Sequence, residues 1–123
     1  MIVTIGKEFK FDAAHYLPNH KGKCQFTHGH TYSVVVELTG EVDPDTNMVV
    51  DFYDLGKVVS ELLEEVDHKL LNHKFAITTV EFLSYHFAHQ IGRAFPRCSV
   101  SVQMQEGTGG YARSIIRCVG VPV

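Results

Sequence analysis

The sequence predicts an α+β fold, in which a four-stranded antiparallel sheet carries two helices on one face. Two long stretches near the start alternate apolar and polar residues, as half-buried strands do. Two later stretches repeat apolar residues at helical spacing, and two shorter alternating stretches close the chain. The order strand, strand, helix, helix, strand, strand favours packing both helices against the same face of the sheet.

The first two strands are predicted over residues 2–15 and 30–42. One parity of the first stretch is apolar except for Lys7, and the second stretch places its apolar residues on one side until "DPDTN" breaks the pattern with turn residues. The apolar positions are Val3, Ile5, Phe9, Phe11 and Ala13 in the first strand and Tyr32, Val34, Val36 and Leu38 in the second. Each strand is therefore expected to bury one face.

The helices and the last two strands follow. Asp51 is the predicted N-cap of a helix to about residue 66, and Thr79, with Glu81 soon after, opens a second helix to about residue 95. Pro96 helps to stop that helix. Residues 99–105 and 111–120 are predicted strands, joined by the turn "EGTGG".

Length and composition limit the classes of protein. The 123 residues suit a single domain over 1–123, and the 45% that are hydrophobic can fill one core. No apolar run is long enough to span a bilayer, and three widely spaced cysteines make no disulfide framework, so we expect a cytoplasmic protein. A net charge of −3 argues against a nucleic-acid partner. The uncovered face and edges of the sheet predict a homo-oligomer.

Three of the eight histidines lie in the same alternating positions as the apolar residues of the first two strands. His28 and His30 continue the apolar parity of the second strand, and His15 ends the apolar parity of the first. If these strands pair, the three imidazoles meet at one end of the sheet. Three imidazoles with an open position are typical of catalytic zinc, although separate, hydrogen-bonded histidines are the alternative.

Cys24 lies four residues before His28, beside Lys21 and Lys23. Neighbouring cations favour the thiolate, which would make Cys24 a base or nucleophile near neutral pH, whereas a half-buried loop thiol is the plainer interpretation. The lysines are candidate phosphate contacts or simply solvated side chains.

Two acidic positions are further candidates. Asp67 directly precedes His68, and a carboxylate that accepts from an imidazole orients the ring as a proton carrier, although His68 as a helix C-cap is the alternative. Glu106 ends the apolar parity of the strand over 99–105, where it could hold a ligand edge with two N–H groups or pair with Arg113.

Several short motifs occur in one order along nearly the whole chain: "FDAAH", "C-x3-HGH", "TGEVDP", "VVDFYDL", "VDHKLLN", "TVE" and "VQMQE". Together they resemble the 6-pyruvoyl-tetrahydropterin synthase family. The offset of four residues from Cys24 to His28 is similar to the bacterial 6-carboxy-tetrahydropterin synthase branch of queuosine biosynthesis, since the mammalian branch has a longer spacer there.

The resemblance implies the tunnelling fold, with trimers that close a barrel and pair into hexamers. It implies Zn²⁺ on His15, His28 and His30, with Cys24 as the proton-transferring base. It also implies an Asp67–His68 pair contributed by a neighbouring subunit, a pterin-anchoring Glu106, and Thr79 lining the pterin pocket.

The expected reaction converts 7,8-dihydroneopterin triphosphate and releases triphosphate and acetaldehyde. The alternatives are the pyruvoyl-forming reaction, which releases no acetaldehyde, and a zinc- and pterin-binding protein without turnover. Two departures from the family pattern concern the residues around the site: "ITTVE" lacks the usual Asn and Pro, and Gly107 follows Glu106 where Thr is common.

Overall fold

A computed structural model describes residues 1–122 of the chain. The strands are β1 (Ile2–His15), β2 (His28–Glu41), β3 (Lys69–Leu70), β4 (Ser99–Glu106) and β5 (Tyr111–Ile116), and the helices are α1 (Phe52–Glu64) and α2 (Val80–Ala94). The sheet order is β3-β1-β2-β4-β5. The β1–β2, β2–β4 and β4–β5 pairs are antiparallel, whereas β3 runs parallel to β1. The predicted α+β class and both helices are confirmed.

The number of strands differs from the prediction, because β3 makes the sheet five-stranded among the described residues. The two-residue β3 has no alternating pattern of its own. It forms because the chain after α1 passes beside the end of β1 and pairs with it in parallel. β5 ends at Ile116 and not at residue 120, because the N–H of Cys118 donates to the side-chain oxygen of Ser99 at 2.9 Å and not to a ladder carbonyl. No helix in residues 1–122 is sufficiently long and apolar to cross a bilayer.

Both helices begin where a side chain caps the backbone. The Asp51 carboxylate accepts from the N–H of Tyr53 at 2.8 Å, and the Thr79 hydroxyl accepts from the N–H of Phe82 at 3.3 Å. Such caps satisfy N–H groups that have no partner within the helix. The predicted N-caps are therefore correct at both positions.

The core lies between the helices and one face of the sheet. It contains the inward residues of β1, β2 and β4 together with the buried stripes of α1 and α2. Full burial of each large apolar side chain contributes about 1.5–3 kcal/mol. The largest fully buried members include Tyr32, Phe87, Leu38, Leu55, Leu83 and Ile91. This layer fixes the β1–β2 register, which pairs His15 with His28.

Candidate active site

His15, His28 and His30 meet at one end of the sheet, on the face that carries the core. The ring centroids of His15 and His28 are 4.6 Å apart, those of His28 and His30 are 4.8 Å apart, and those of His15 and His30 are 5.1 Å apart. One nitrogen from each ring lies within 4.8 Å of the others, which is close enough to hold one metal ion. His15 is 1% exposed, whereas His28 and His30 are half-buried, so the cluster opens toward solvent on one side.

Backbone carbonyls fix two of the three rings. Nδ1 of His15 donates to the Thr78 carbonyl at 2.9 Å, and Nδ1 of His28 donates to the Phe26 carbonyl at 2.8 Å. Because a carbonyl only accepts, each Nδ1 carries a proton, and the neutral form of each ring then has its lone pair on Nε2. Burial lowers the pKa of His15, while its bond to Thr78 and the nearby Glu106 charge oppose that shift. These rings are therefore held in the form that binds metals.

Glu106 joins this cluster from β4. Its Oε2 lies 3.4 Å from Nε2 of His15 and 3.4 Å from Nε2 of His30. These separations do not make hydrogen bonds, so Nε2 of His15 is a buried polar atom without a partner in residues 1–122. A metal ion is one group that would satisfy such an atom. The expected alternative pairing with Arg113 is wrong, because that guanidinium donates to Gln103 at 2.7 Å.

The loop that follows Glu106 holds it in place. Its backbone N–H donates to the Gly110 carbonyl at 3.0 Å, and the N–H of Gly107 donates to the Thr31 carbonyl at 2.8 Å. Gly107 has a φ of +55°, which residues with a Cβ rarely adopt. Gly107, which stands where the family pattern commonly has Thr, therefore forms a tight turn that keeps Glu106 beside β2.

Cys24 lies in a single 3-10 turn, Lys23–Gln25, in the loop between β1 and β2. Its carbonyl accepts from the N–H of Leu17 at 2.8 Å, which closes the loop next to the end of β1. Within the described part of the chain, its sulfur does not belong to the histidine cluster. Lys21 and Lys23 are exposed in the same loop.

Thr79 follows Thr78, whose carbonyl accepts from the His15 ring. It lines a cleft of about 290 Å³, whose walls are residues 17–20 and 76–79. Thr78 is common to both places, because it lines the cleft and its carbonyl holds the His15 ring. Ile77, which stands at the position of the missing Asn, is 54% exposed at the edge of the cleft.

The Asp67–His68 pair forms within this chain. Nδ1 of His68 lies 3.0 Å from Oδ1 of Asp67, and the same oxygen accepts from the N–H of Asp12 at 2.9 Å. The Asp12 N–H, and then the His68 ring, lower the pKa of Asp67. Asp12 alternates with the buried Phe11 and Ala13, so the pair lies at the β1 edge beside the outer face of the sheet.

Sequence reasoning did not select two residues beside these groups. The Tyr32 ring packs edge-on against His30 and His15, with centroids 5.5 Å and 6.2 Å away. Asp12 binds the backbone and side chain of the Asp67–His68 pair. The signal for Tyr32 was its position two residues after His30 in the same parity, but it was counted only as a core residue.

The sequence pattern of the 6-pyruvoyl tetrahydropterin synthase family matches residues 4–114. A protein of Archaeoglobus fulgidus is 46% identical over 79 residues, which are 64% of this chain and 67% of that protein. The 6-carboxy-5,6,7,8-tetrahydropterin synthase of Haemophilus influenzae is 45% identical over 71 residues, which are 54% of this chain and 50% of that protein.

Superposition on solved structures indicates the same family. The solved 6-pyruvoyl tetrahydropterin synthase of Caenorhabditis elegans superposes with a TM-score of 0.84 at 28% identity, over 95% of this chain and 97% of that one. The match to the Haemophilus influenzae relative spans 50% of that protein's length, whereas the family pattern and the superposition extend along almost the whole of this chain. The chain belongs to the 6-pyruvoyl tetrahydropterin synthase family.

Proposed function

We propose that the protein is a zinc-dependent 6-carboxy-5,6,7,8-tetrahydropterin synthase that converts 7,8-dihydroneopterin triphosphate and releases triphosphate and acetaldehyde. The observation that carries this proposal is the meeting of three histidines, two of them with the tautomer fixed by a backbone carbonyl, with Glu106 at one end of the sheet, next to the Cys24 loop. The name of the Haemophilus influenzae relative and the four-residue Cys24–His28 offset support the carboxy-forming reaction.

His15, His28 and His30 are the proposed zinc ligands. Their donor set fits the ion, because neutral imidazole nitrogens suit zinc and the buried Nε2 of His15 has no other partner among residues 1–122. When bound, zinc supplies Lewis acidity to the hydroxyl groups of the substrate side chain. The carbonyls of Thr78 and Phe26 keep the two rings oriented, as outer partners of metal ligands do.

The proton carriers are Cys24 and His68. The Cys24 thiolate takes a proton from the substrate side chain, and His68, oriented by Asp67, acts as the second acid and base. Asp67 and His68 lie at the β1 edge, beside the sheet face opposite the histidine cluster, so the pair serves the site of a neighbouring copy in the proposed homo-oligomer. We propose a hexamer built from trimers, as the family resemblance implies.

The substrate is held by residues around the cluster. The Glu106 carboxylate accepts two hydrogen bonds from the amino and ring N–H edge of the pterin. Thr79 lines the pocket, and Lys21 and Lys23 contact the triphosphate.

A second candidate is the pyruvoyl-forming reaction, which the name of the superposed Caenorhabditis elegans protein favours. Incubation of the purified, zinc-loaded protein with 7,8-dihydroneopterin triphosphate separates the two. Triphosphate together with acetaldehyde supports the carboxy-forming reaction, and triphosphate without acetaldehyde supports the second candidate. Binding of the pterin without any product would make the protein a binding module.

Two variants separate the roles of the residues. Cys24→Ala is expected to keep its zinc and bind pterin while turnover falls below detection, because the thiol is a base and not a metal ligand. Glu106→Gln is expected to keep its zinc and lose pterin affinity by about ten-fold or more, since an amide cannot accept from both N–H groups. Loss of zinc from either variant would show that the replaced side chain is a metal ligand.

A further inference from the structure

We propose that Asp12 and Thr31 are positioning residues for His68, and that the Thr31 hydroxyl decides which carboxylate the His68 imidazole meets. The catalytic consequence rests on the proposed function of His68 as an acid and base. The structural part, the orientation of the ring, does not depend on that function.

Asp12 holds the Asp67–His68 pair through both of its own backbone groups. Its N–H donates to Oδ1 of Asp67 at 2.9 Å, and its carbonyl accepts from the N–H of His68 at 2.6 Å. His68 has a φ of +59°, a left-handed conformation that costs about 1 kcal/mol or more for a residue with a Cβ. The two bonds to Asp12 maintain this turn, which brings the imidazole back to the neighbouring Asp67.

The side chain of Asp12 creates a competitor for that imidazole. One oxygen of Asp12, one oxygen of Asp67 and one nitrogen of His68 all lie within 4.8 Å of one another. A rotation of the ring would let Asp12 accept from Nε2 of His68, whereas the structure has Nδ1 of His68 beside Oδ1 of Asp67, at 3.0 Å. His68 is 77% exposed at its side chain, so packing does not restrain the ring.

Thr31 removes the competitor. It lies directly opposite Asp12 in the β1–β2 register, on the same outer face of the sheet, and its hydroxyl donates to Oδ1 of Asp12. This bond holds the Asp12 carboxylate toward β2 and leaves Asp67 as the acceptor for His68. With Nδ1–H bound to Asp67, Nε2 is the nitrogen that carries a proton to and from a substrate.

The test compares Thr31→Val, which keeps the shape of the side chain and removes the hydroxyl, with Thr31→Ser, which keeps the hydroxyl. Thr4→Val is the matched control, because Thr4 makes a 2.7 Å side-chain hydrogen bond to Thr39 across the same two strands, far from His68. Nitrogen-15 spectra of the imidazoles, assigned with His68→Gln, report which ring nitrogen of His68 carries the proton.

The parent protein, Thr31→Ser and Thr4→Val are expected to show one His68 tautomer with the proton on Nδ1. Thr31→Val is expected to show a mixture, and its kcat is expected to fall about ten-fold with KM and zinc content unchanged. Asp12→Asn in addition to Thr31→Val is expected to lessen the mixture, because the amide is a poorer competitor than a carboxylate.

An unchanged His68 spectrum in Thr31→Val would overturn the proposal, whatever the activity. A changed spectrum with unchanged kcat would overturn the catalytic part alone. Absence of turnover in the parent protein would refute the proposed function, and the spectra would still decide the orientation of His68.

Discussion

Replacement of Tyr32 by phenylalanine is expected to stabilise the protein, because it removes a buried hydroxyl that has no hydrogen-bond partner in residues 1–122. Tyr32 is 0% exposed, and its ring stacks on Phe11 with centroids 4.7 Å apart and planes 5° apart. Phenylalanine keeps that stacking and the contacts with His15 and His30. Burial and the Glu106 charge raise the pKa of Tyr32, so the lost hydroxyl is neutral throughout the working pH range.

The magnitude follows from two opposing terms. A buried polar group without a partner costs about 1–3 kcal/mol of unfolding free energy, which the variant recovers. The space of one oxygen atom, roughly 10–15 Å³, is left empty and costs about 0.3 kcal/mol. The net gain is about 0.7 kcal/mol at the lower end of this range, which raises Tm by about 3 °C in a chain of this size.

Urea unfolding of the zinc-free protein, followed by circular dichroism, measures this gain as a higher midpoint at constant m-value. Tyr85→Phe is the control, because Tyr85 is 53% exposed and its hydroxyl reaches water, so the midpoint is expected to stay the same. A Tyr32→Phe protein that is less stable than its parent would refute the reasoning. The hydroxyl would then have a partner in solution, such as a buried water or a neighbouring copy.

Two more predictions concern the helices. Gly56→Ala in α1 is expected to stabilise the protein by up to about 1 kcal/mol in urea unfolding, because alanine favours helix. The new Cβ meets only the end of the Lys7 side chain, at 2.9 Å. Destabilisation would mean that this side chain cannot move away. Partial burial lowers the pKa of His86 below its ordinary value of 6.5, although Glu65 opposes the shift. The unfolded chain therefore binds more protons, and stability is expected to fall as pH drops through 6.5, less steeply in His86→Gln. Parallel urea midpoints of parent and variant between about pH 7.5 and 5.5 would contradict this assignment.

Periodicity predicted most of the fold because most elements bury one face. The bounds of β1 were correct for that reason, and the caps of both helices were correct because Asp51 and Thr79 are residue types that favour the N-cap. The start of β2 was placed two residues late, because His28 and Gly29 carry no apolar pattern and join the strand only by pairing with His15 and Ala14. The two-residue β3 could not be predicted, because its pairing depends on the position in space at which the chain leaves α1.

The site was predictable to the extent that strand parity determines it. The three histidines and Glu106 extend apolar stripes, and strands paired in register bring such ends together. The partner of Arg113 was predicted wrongly, because Arg113 on β5 pairs with Gln103 in the β4–β5 register. Gln103 is three residues away from Glu106 along β4. Hydrogen bonds to carbonyls, such as that of Thr78, leave no trace in the sequence pattern.

Strand alternation also explains why the proposed acid–base machinery is divided. Side chains at successive positions of one strand point to opposite faces, so a residue next to a metal-binding histidine faces away from the metal. Thr31, which follows His30, is therefore available to hold Asp12 and thus His68 on the outer face, while His30 faces the cluster. One stretch of β2 can position both the proposed zinc and the proposed proton carrier, but for two different sites. In the proposed homo-oligomer, a substitution at Thr31 would then disturb the site of the neighbouring copy before it disturbs its own.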